Sequence, residues 1–464
     1  MEGQDKFERF LKRYPHPHKA FFDRPHITRR RFFEIAGSGV TASWLCGKLR
    51  AADETAVASA TPRNTVKNVI FILLAGAPSH IDTFDLKVVP GVTPTSFNPT
   101  TMNGLLWPAG LLPRIGQHLS DIAIVRSVRA WALVHTLAQT WTQIGRNPAA
   151  ALGNIAPHIG SVVAIEKESE RRPGQVFPTF LALNSGTAAG PGYFPAQYAA
   201  FKVTPSTQGI VDTTHPADPN GTGRFNNRWN LLHALDDPLR INSPFGKDPE
   251  DYDNFYTAAK GLMYNPAVGQ AFTFSDTDSE RYGKNSFGNA CLVAKQVLAA
   301  DQGTRFIQIT LGGWDMHSDI YGRLPALGKI LDDGLSALID DLRSSGLFDH
   351  TMLVMAGEFG RTVGQLSGAQ GRDHYLQQFA VFAGGGIKGG HTIGSTNGQG
   401  SASAEYGWSR NRDIKPEDIE ATIYSAMGIN WTTVRHDDPF GRGFYYVPFS
   451  DTNVYGPVDE LWGV

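Results

Sequence analysis

Short, uninterrupted apolar runs constrain this chain more than any other feature. Residues 66–74 read VKNVIFILL, and comparable runs recur at 122–128, 177–183, 305–311, 351–356 and 379–383. A strand with one wet face alternates apolar and polar residues. An unbroken apolar run needs cover on both faces. Helical periodicity separates several of the runs. Leu324, Leu327, Ile330, Leu331, Leu335, Leu338, Ile339 and Leu342 mark one face of a helix, and residues 287–298 suggest another. Pro416 opens a third helix that Gly428 closes. Strands alternating with covering helices predict an α/β fold with a mostly parallel sheet.

The 464 residues allow either several domains or one large α/β domain with insertions. Apolar residues make up 41% and charged residues 19%, enough for a sizeable core and too apolar for wholesale disorder. Residues 185–280 are rich in Gly, Pro, Asn, Asp and Thr and read as an insertion of loops with a few short helices. The expected organisation is a leader over 1–52, one domain over 64–430 and a C-terminal tail over 431–464 packed on that domain.

A formal net charge of −2 argues against a nucleic-acid partner. The charge is uneven. Residues 1–52 carry 11 Lys/Arg against 5 Asp/Glu, and the remainder 31 against 39. Within the leader, Arg29-Arg30-Arg31-Phe32-Phe33 precedes an uncharged, Gly-interrupted stretch of 13 residues, 35–47. This fits a twin-arginine export signal and is too short for the ~20 residues of a membrane span. The plainer alternative is a basic amphipathic helix. Export would place the protein in the periplasm or outside the cell. Removal of the leader takes Cys46 and leaves Cys291, in an apolar helical pattern that suits a core residue better than a nucleophile.

In open parallel sheets, sites form beyond the carboxyl ends of the strands. The residues after the runs are therefore the ones to read. His80, Asp82 and Asp85 follow the first run. Asp315 and His317 follow the run ending at 311, in GGWDMHSD. Glu358 and Arg361 follow the run ending at 356, in GEFGRT, and Asp373-His374 lie a little further on. Carboxylates and imidazoles from separate strand ends are the usual ligands of a divalent ion, and neighbouring glycines let the backbone turn sharply. Asp315, His317, Glu358, His374, Asp373, His80 and Asp82 are the candidate ligands. Each alone is equally a turn former or a cap. Glu358 and Arg361 are alternatively an ion pair, and Trp314 is either core or pocket wall.

The motifs LLAGAPSHIDTFD, GGWDMHSD, GEFGRT and GRDHY, in this order, resemble the domain-of-unknown-function family 1501. So do FAGGGIKGG and EDIEATIYSAMGI. That family consists of exported bacterial proteins and looks related to the alkaline phosphatase and sulfatase superfamily. The resemblance implies an alkaline-phosphatase-like α/β/α sandwich with a divalent-metal site at the strand ends. Asp315 with His317 looks like the superfamily's Asp-then-His motif, and His374 like its final His. Glu358-Phe359 stands where the superfamily has an Asp-His pair. The first-strand carboxylate is replaced by Ala75 and Gly76, with His80 or Asp82 as substitutes from the following loop. Sulfatases carry their modified Cys or Ser ten residues before a Thr-Gly-Arg that follows a helix. The comparable stretch here is HTLAQTWTQIGR, which gives the nucleophile's place to His135, beside Thr136.

The expected function is a metal-dependent hydrolase or transferase acting on phosphate or sulfate esters of a small molecule or glycan, with Zn, Mn, Mg or Ca as cofactor. His135 would be base or nucleophile, Thr136 the neighbouring hydroxyl, and Arg361 a bidentate clamp on an anionic oxygen. The rival expectation is an exported binding module that keeps the fold and a structural metal. Oligomeric state is not encoded in any feature of the sequence.

Overall fold

The computed structural model describes residues 60–211, 213–214, 221–240 and 248–463. The leader, with Arg29, Arg30 and Cys46, lies outside them. The described chain is built on an eight-stranded sheet. Its strands are β1 (Asn68–Leu74), β2 (Ile122–Arg129), β3 (Phe180–Leu183), β4 (Phe201–Val203), β5 (Phe306–Leu311), β6 (Thr351–Ala356), β7 (Gln377–Ala383) and β8 (His391–Ile393). Their spatial order is β8-β2-β7-β6-β1-β5-β3-β4. Every ladder is parallel except the two made by β7, which runs antiparallel to both β2 and β6.

All seven residues of β1 are buried, as its unbroken apolar run requires. Ile70, Ile72 and Leu74 pack on one side with α5 (Ser286–Ala300) and α6 (Ile320–Ser344). Val69, Phe71 and Leu73 pack on the other with α2 (Ile159–Glu166) and α7 (Pro416–Ala426). Period-two alternation thus divides one strand between two cores, and the fold is the expected helix–sheet–helix sandwich. Cys291 and Trp314 belong to the first core, which assigns Trp314 to packing.

The sheet is mostly parallel, as expected, and the run at 379–383 forms its one reversed strand, β7. The 185–280 segment contributes β4 to the sheet edge and carries α3 (Gly223–Arg240) and α4 (Asp248–Leu262), 18 and 15 residues long rather than short. Residues 431–463 lie on the domain. Leu461 is buried, and Trp462 donates its indole N–H to the Gly385 carbonyl at 3.3 Å. No helix among the described residues is long and apolar enough to cross a membrane.

Candidate metal centre

The carboxyl ends of β5, β6 and β2 face the same side as the amino end of β7, because β7 is reversed. Four loops therefore converge there. Asp315 and His317 follow β5. Glu358 follows β6. His374 comes just before β7, in a two-residue ribbon opposite Arg361. His135 opens α1 (His135–Ile144) six residues beyond β2. Gly76, at φ +105°, permits a close approach: a Cβ there would stand 2.6 Å from the backbone N of Asp315.

His135, Asp315, His317 and His374 each offer one ligand atom, all within 4.8 Å of one another, and this is the one such group among the described residues. Asp315 Oδ1 lies 3.3 Å from His135 Nε2, 2.9 Å from His317 Nε2 and 3.9 Å from His374 Nε2. His317 Nε2 and His374 Nε2 are 3.0 Å apart. Ligand atoms at 2.0–2.1 Å around a tetrahedral ion stand roughly 3.3 Å from each other, so the spacing suits one zinc-sized ion.

The other ring nitrogens decide the tautomers. His135 Nδ1 is 2.7 Å from Glu358 Oε1, His317 Nδ1 is 2.7 Å from Asp373 Oδ1, and His374 Nδ1 is 2.7 Å from the Leu133 carbonyl. Carboxylate and carbonyl oxygens accept only, so each Nδ1 is the donor and each neutral ring presents its Nε2 lone pair to the centre. His317 and His374 then oppose lone pair to lone pair, which a cation relieves. His135 Nε2 is buried and has no hydrogen-bond partner. On these observations the residues fit a divalent ion.

Electrostatics act in the same sense on Asp315 and His374. Burial, which alone would raise it, is outweighed at Asp315 by the hydrogen bond and charge of Arg361. Its carboxyl is held below the usual range. Burial pushes the His374 imidazole down, and the charge of Arg361 adds to this against the Leu133 carbonyl, favouring the neutral ring.

Several expected site residues occupy other places. Glu358 stands behind His135 with a fully buried side chain. Its Oε1 also accepts from the Gly76 backbone N–H and the Gln139 amide, both at 2.9 Å. Asp373 likewise holds His317 by Nδ1, but its side chain is 65% exposed. Arg361 does not pair with Glu358. It donates to Asp315 at 2.6 Å, to the carbonyls of Gly76, Ala77 and Arg372, and lies 3.3 Å from His317 Nε2. Its donors are spent within the protein, so it orders the centre and offers no free fork to an anion. Asp82 is away from the cluster. Arg372 Nε donates to it at 2.7 Å, both side chains being fully buried, while Ser79 and Tyr321 hydroxyls donate at 2.6 and 3.0 Å. His80 is also apart: buried, with its pKa lowered by desolvation, it donates from Nε2 to the Gly400 carbonyl at 2.8 Å. Thr136 is exposed on the first turn of α1. Phe359 packs its ring 4.7 and 4.6 Å from His135 and His374. Gln139 escaped sequence reading, although its spacing four residues beyond His135 places it on the same helix face.

Comparison with solved structures gives distant likenesses. The PsFucS1 sulfatase from Pseudoalteromonas sp. is similar at 12% identity and a TM-score of 0.37, over 82% of this chain and 70% of that one. The lipoteichoic acid synthase LtaP from Listeria monocytogenes is similar at 10% identity and 0.35, over 85% and 80%. The phosphonate monoester hydrolase SpPMH from Silicibacter pomeroyi is similar at 12% identity and 0.34, over 86% and 77%. No curated protein matches the sequence. Residues 66–443 match the family described as "Protein of unknown function (DUF1501)", most of the chain's length, and the chain belongs to that family.

Proposed function

We propose that this chain is an exported, metal-dependent hydrolase of phosphate or sulfate esters. One observation carries the reading: the facing Nε2 atoms of His317 and His374, 3.0 Å apart, with the Nδ1 of each held by an acceptor. His135 and Asp315 complete a three-imidazole, one-carboxylate donor set, which suits zinc better than magnesium or calcium. A divalent ion bound there supplies Lewis-acid polarisation of an ester oxygen and lowers the pKa of water. The chain's own groups supply the rest. Glu358 and Asp373 fix the rings of His135 and His317. Arg361 holds Asp315 ionised and in place. The first turn of α1 has no side-chain cap, so its free N–H groups and dipole favour an anionic oxygen beside His135. Thr136, exposed on that turn, is the hydroxyl available for attack in a transfer reaction.

His135 in the place of a formylglycine precursor argues against a sulfatase of that type. So does Cys291, buried in α5 with its thiol pKa pushed up by burial. A second reading, a binding module with a structural metal, draws on the guanidinium of Arg361, which already neutralises part of the centre.

Metal analysis of purified protein, followed by aryl phosphate, diester and sulfate substrates with and without chelator, tests both readings. The hydrolase reading expects bound metal and chelator-sensitive cleavage. His135→Ala should lower metal content and turnover together. Metal with no cleavage would leave the binding module, and metal-free protein that no divalent ion stabilises would remove both.

A further inference from the structure

His135 is the first residue of α1, and the helix has no side-chain cap, since Val134 before it cannot supply one. An uncapped first turn frays. A metal donor, in contrast, has to be held to within about 0.5 Å. The same stretch of chain serves the centre twice more. The Leu133 carbonyl accepts from His374 Nδ1 at 2.7 Å, and the Gln139 amide donates to Glu358 at 2.9 Å. Residues 133–139 therefore bear on His135, on His374 and on the carboxylate behind His135.

Two tryptophans bracket this stretch, Trp131 before it and Trp141 after it. Both are tied to Glu417 in the first turn of α7. The Trp131 indole N–H donates to Oε2 at 3.0 Å, and that of Trp141 to Oε1 at 2.9 Å. Each carboxylate oxygen thus holds one end of the stretch. The two rings stack with centroids 6.1 Å apart and planes 22° from parallel, and Lys415 Nζ stands 4.1 Å from the Trp131 ring centre. The start of α7 is itself fixed, because both terminal nitrogens of Arg412 donate to Asp418, at 2.7 and 2.8 Å. Stability alone does not ask for this arrangement. Glu417 is 3% exposed, and three apolar groups of the same shape would fill the space at no clear loss.

We propose that Glu417 is a positioning residue of the metal centre. By clamping Trp131 and Trp141 it holds the stretch between them so that His135 Nε2 and, through the Leu133 carbonyl, His374 Nε2 converge on one ion. This rests on the metal-centre reading and adds to it a residue that acts only through the two indoles. The test is zinc affinity of the full chain by chelator competition, together with the visible absorption of the cobalt-loaded protein. Trp131→Phe, Trp141→Phe and Glu417→Leu combined remove the three polar partners at once. The metal-free triple variant should melt near the wild-type temperature. It should nevertheless bind zinc ~10-fold more weakly and show weaker cobalt bands, which report the tetrahedral geometry. Glu417→Gln, with one acceptor left for two donors, should move affinity and spectrum in the same direction, and it decides the matter if the triple variant does not fold. Wild-type zinc affinity and an unchanged cobalt spectrum in the folded variants would overturn the proposal. A wild type that binds neither ion would remove the metal centre and the role of Glu417 with it. Zinc binding without ester cleavage, weakened in the variants as expected, would remove the hydrolase reading alone.

Discussion

Glu358 and His135 form a buried carboxylate–imidazole pair, Oε1 to Nδ1 at 2.7 Å, with the carboxylate fully enclosed and the far nitrogen of the ring turned to the metal centre. The pair sets the tautomer of His135 and the orientation of its Nε2.

Replacing Glu358 by Gln keeps the shape and removes the charge. Metal affinity should fall by ~10–100-fold, the usual effect of losing such a supporting group. Competition with a graded chelator measures it. An unchanged affinity would show that Glu358 only fills space.

Asp315→Ala removes a donor and leaves Arg361 without its carboxylate. Metal content and melting temperature should drop together, because an ion that binds only the folded state stabilises it by mass action. Adding excess metal should restore the wild-type melting temperature and leave the variant's largely unmoved. Equal recovery in both proteins would exclude Asp315 from the donor set.

Asp82→Asn tests a different idea, that the Asp82–Arg372 pair is structural. Both side chains are fully buried. Breaking such a pair costs about 3–5 kcal/mol because the remaining charge is left uncompensated. Denaturant unfolding should show that loss, while the folded variant binds metal like the parent. Loss of metal with stability intact would return Asp82 to the ligand list.

Stability should also fall as pH rises. Burial raises Glu420 to about 8 and Glu417 to about 7, against an ordinary value of 4.5; at Glu420, Arg146 and the Tyr424 hydrogen bond oppose the shift and Glu417 adds to it. The folded state keeps protons that the unfolded state releases. Their stabilisation is therefore full below the ordinary carboxylate range and is lost as pH passes through about 7 to 8. Glu420→Gln, which can still accept from Tyr424, should flatten the decline in melting temperature between about pH 5 and 8. Parallel curves for the two proteins would contradict this.

Much of this was legible in the sequence, and the rest was hidden for identifiable reasons. The apolar runs located the inner strands of the sheet and the paired helical patterns located α5 and α6. A run reads the same in either direction, however, so the reversal of β7 was invisible. Asp315, His317 and His374 could be singled out because each adjoins a strand signal. Depth past the strand end separated the two carboxylates. Asp315 comes four residues beyond β5, after a Gly-Gly turn, and reaches the opening. Glu358 comes two residues beyond β6 and stays inside. His135 was recognised as chemically unusual, but its place among the donors depends on how α1 is anchored against α7, a tertiary fact. Arg361 drew attention for its charge, and only the backbone carbonyls around it reveal that its donors are used.

The reversal of β7 also orders the assembly of the molecule in time. The four donors come from positions 135 to 374, and His374 is delivered only when a strand near the C-terminal end inserts between β2 and β6. Pairing so distant in sequence is slow to form because loop closure precedes its reward. An ion held by all four donors could therefore not seed folding from an early fragment. It would be acquired by a chain whose central strands are already joined, so the compartment in which folding finishes would select the metal.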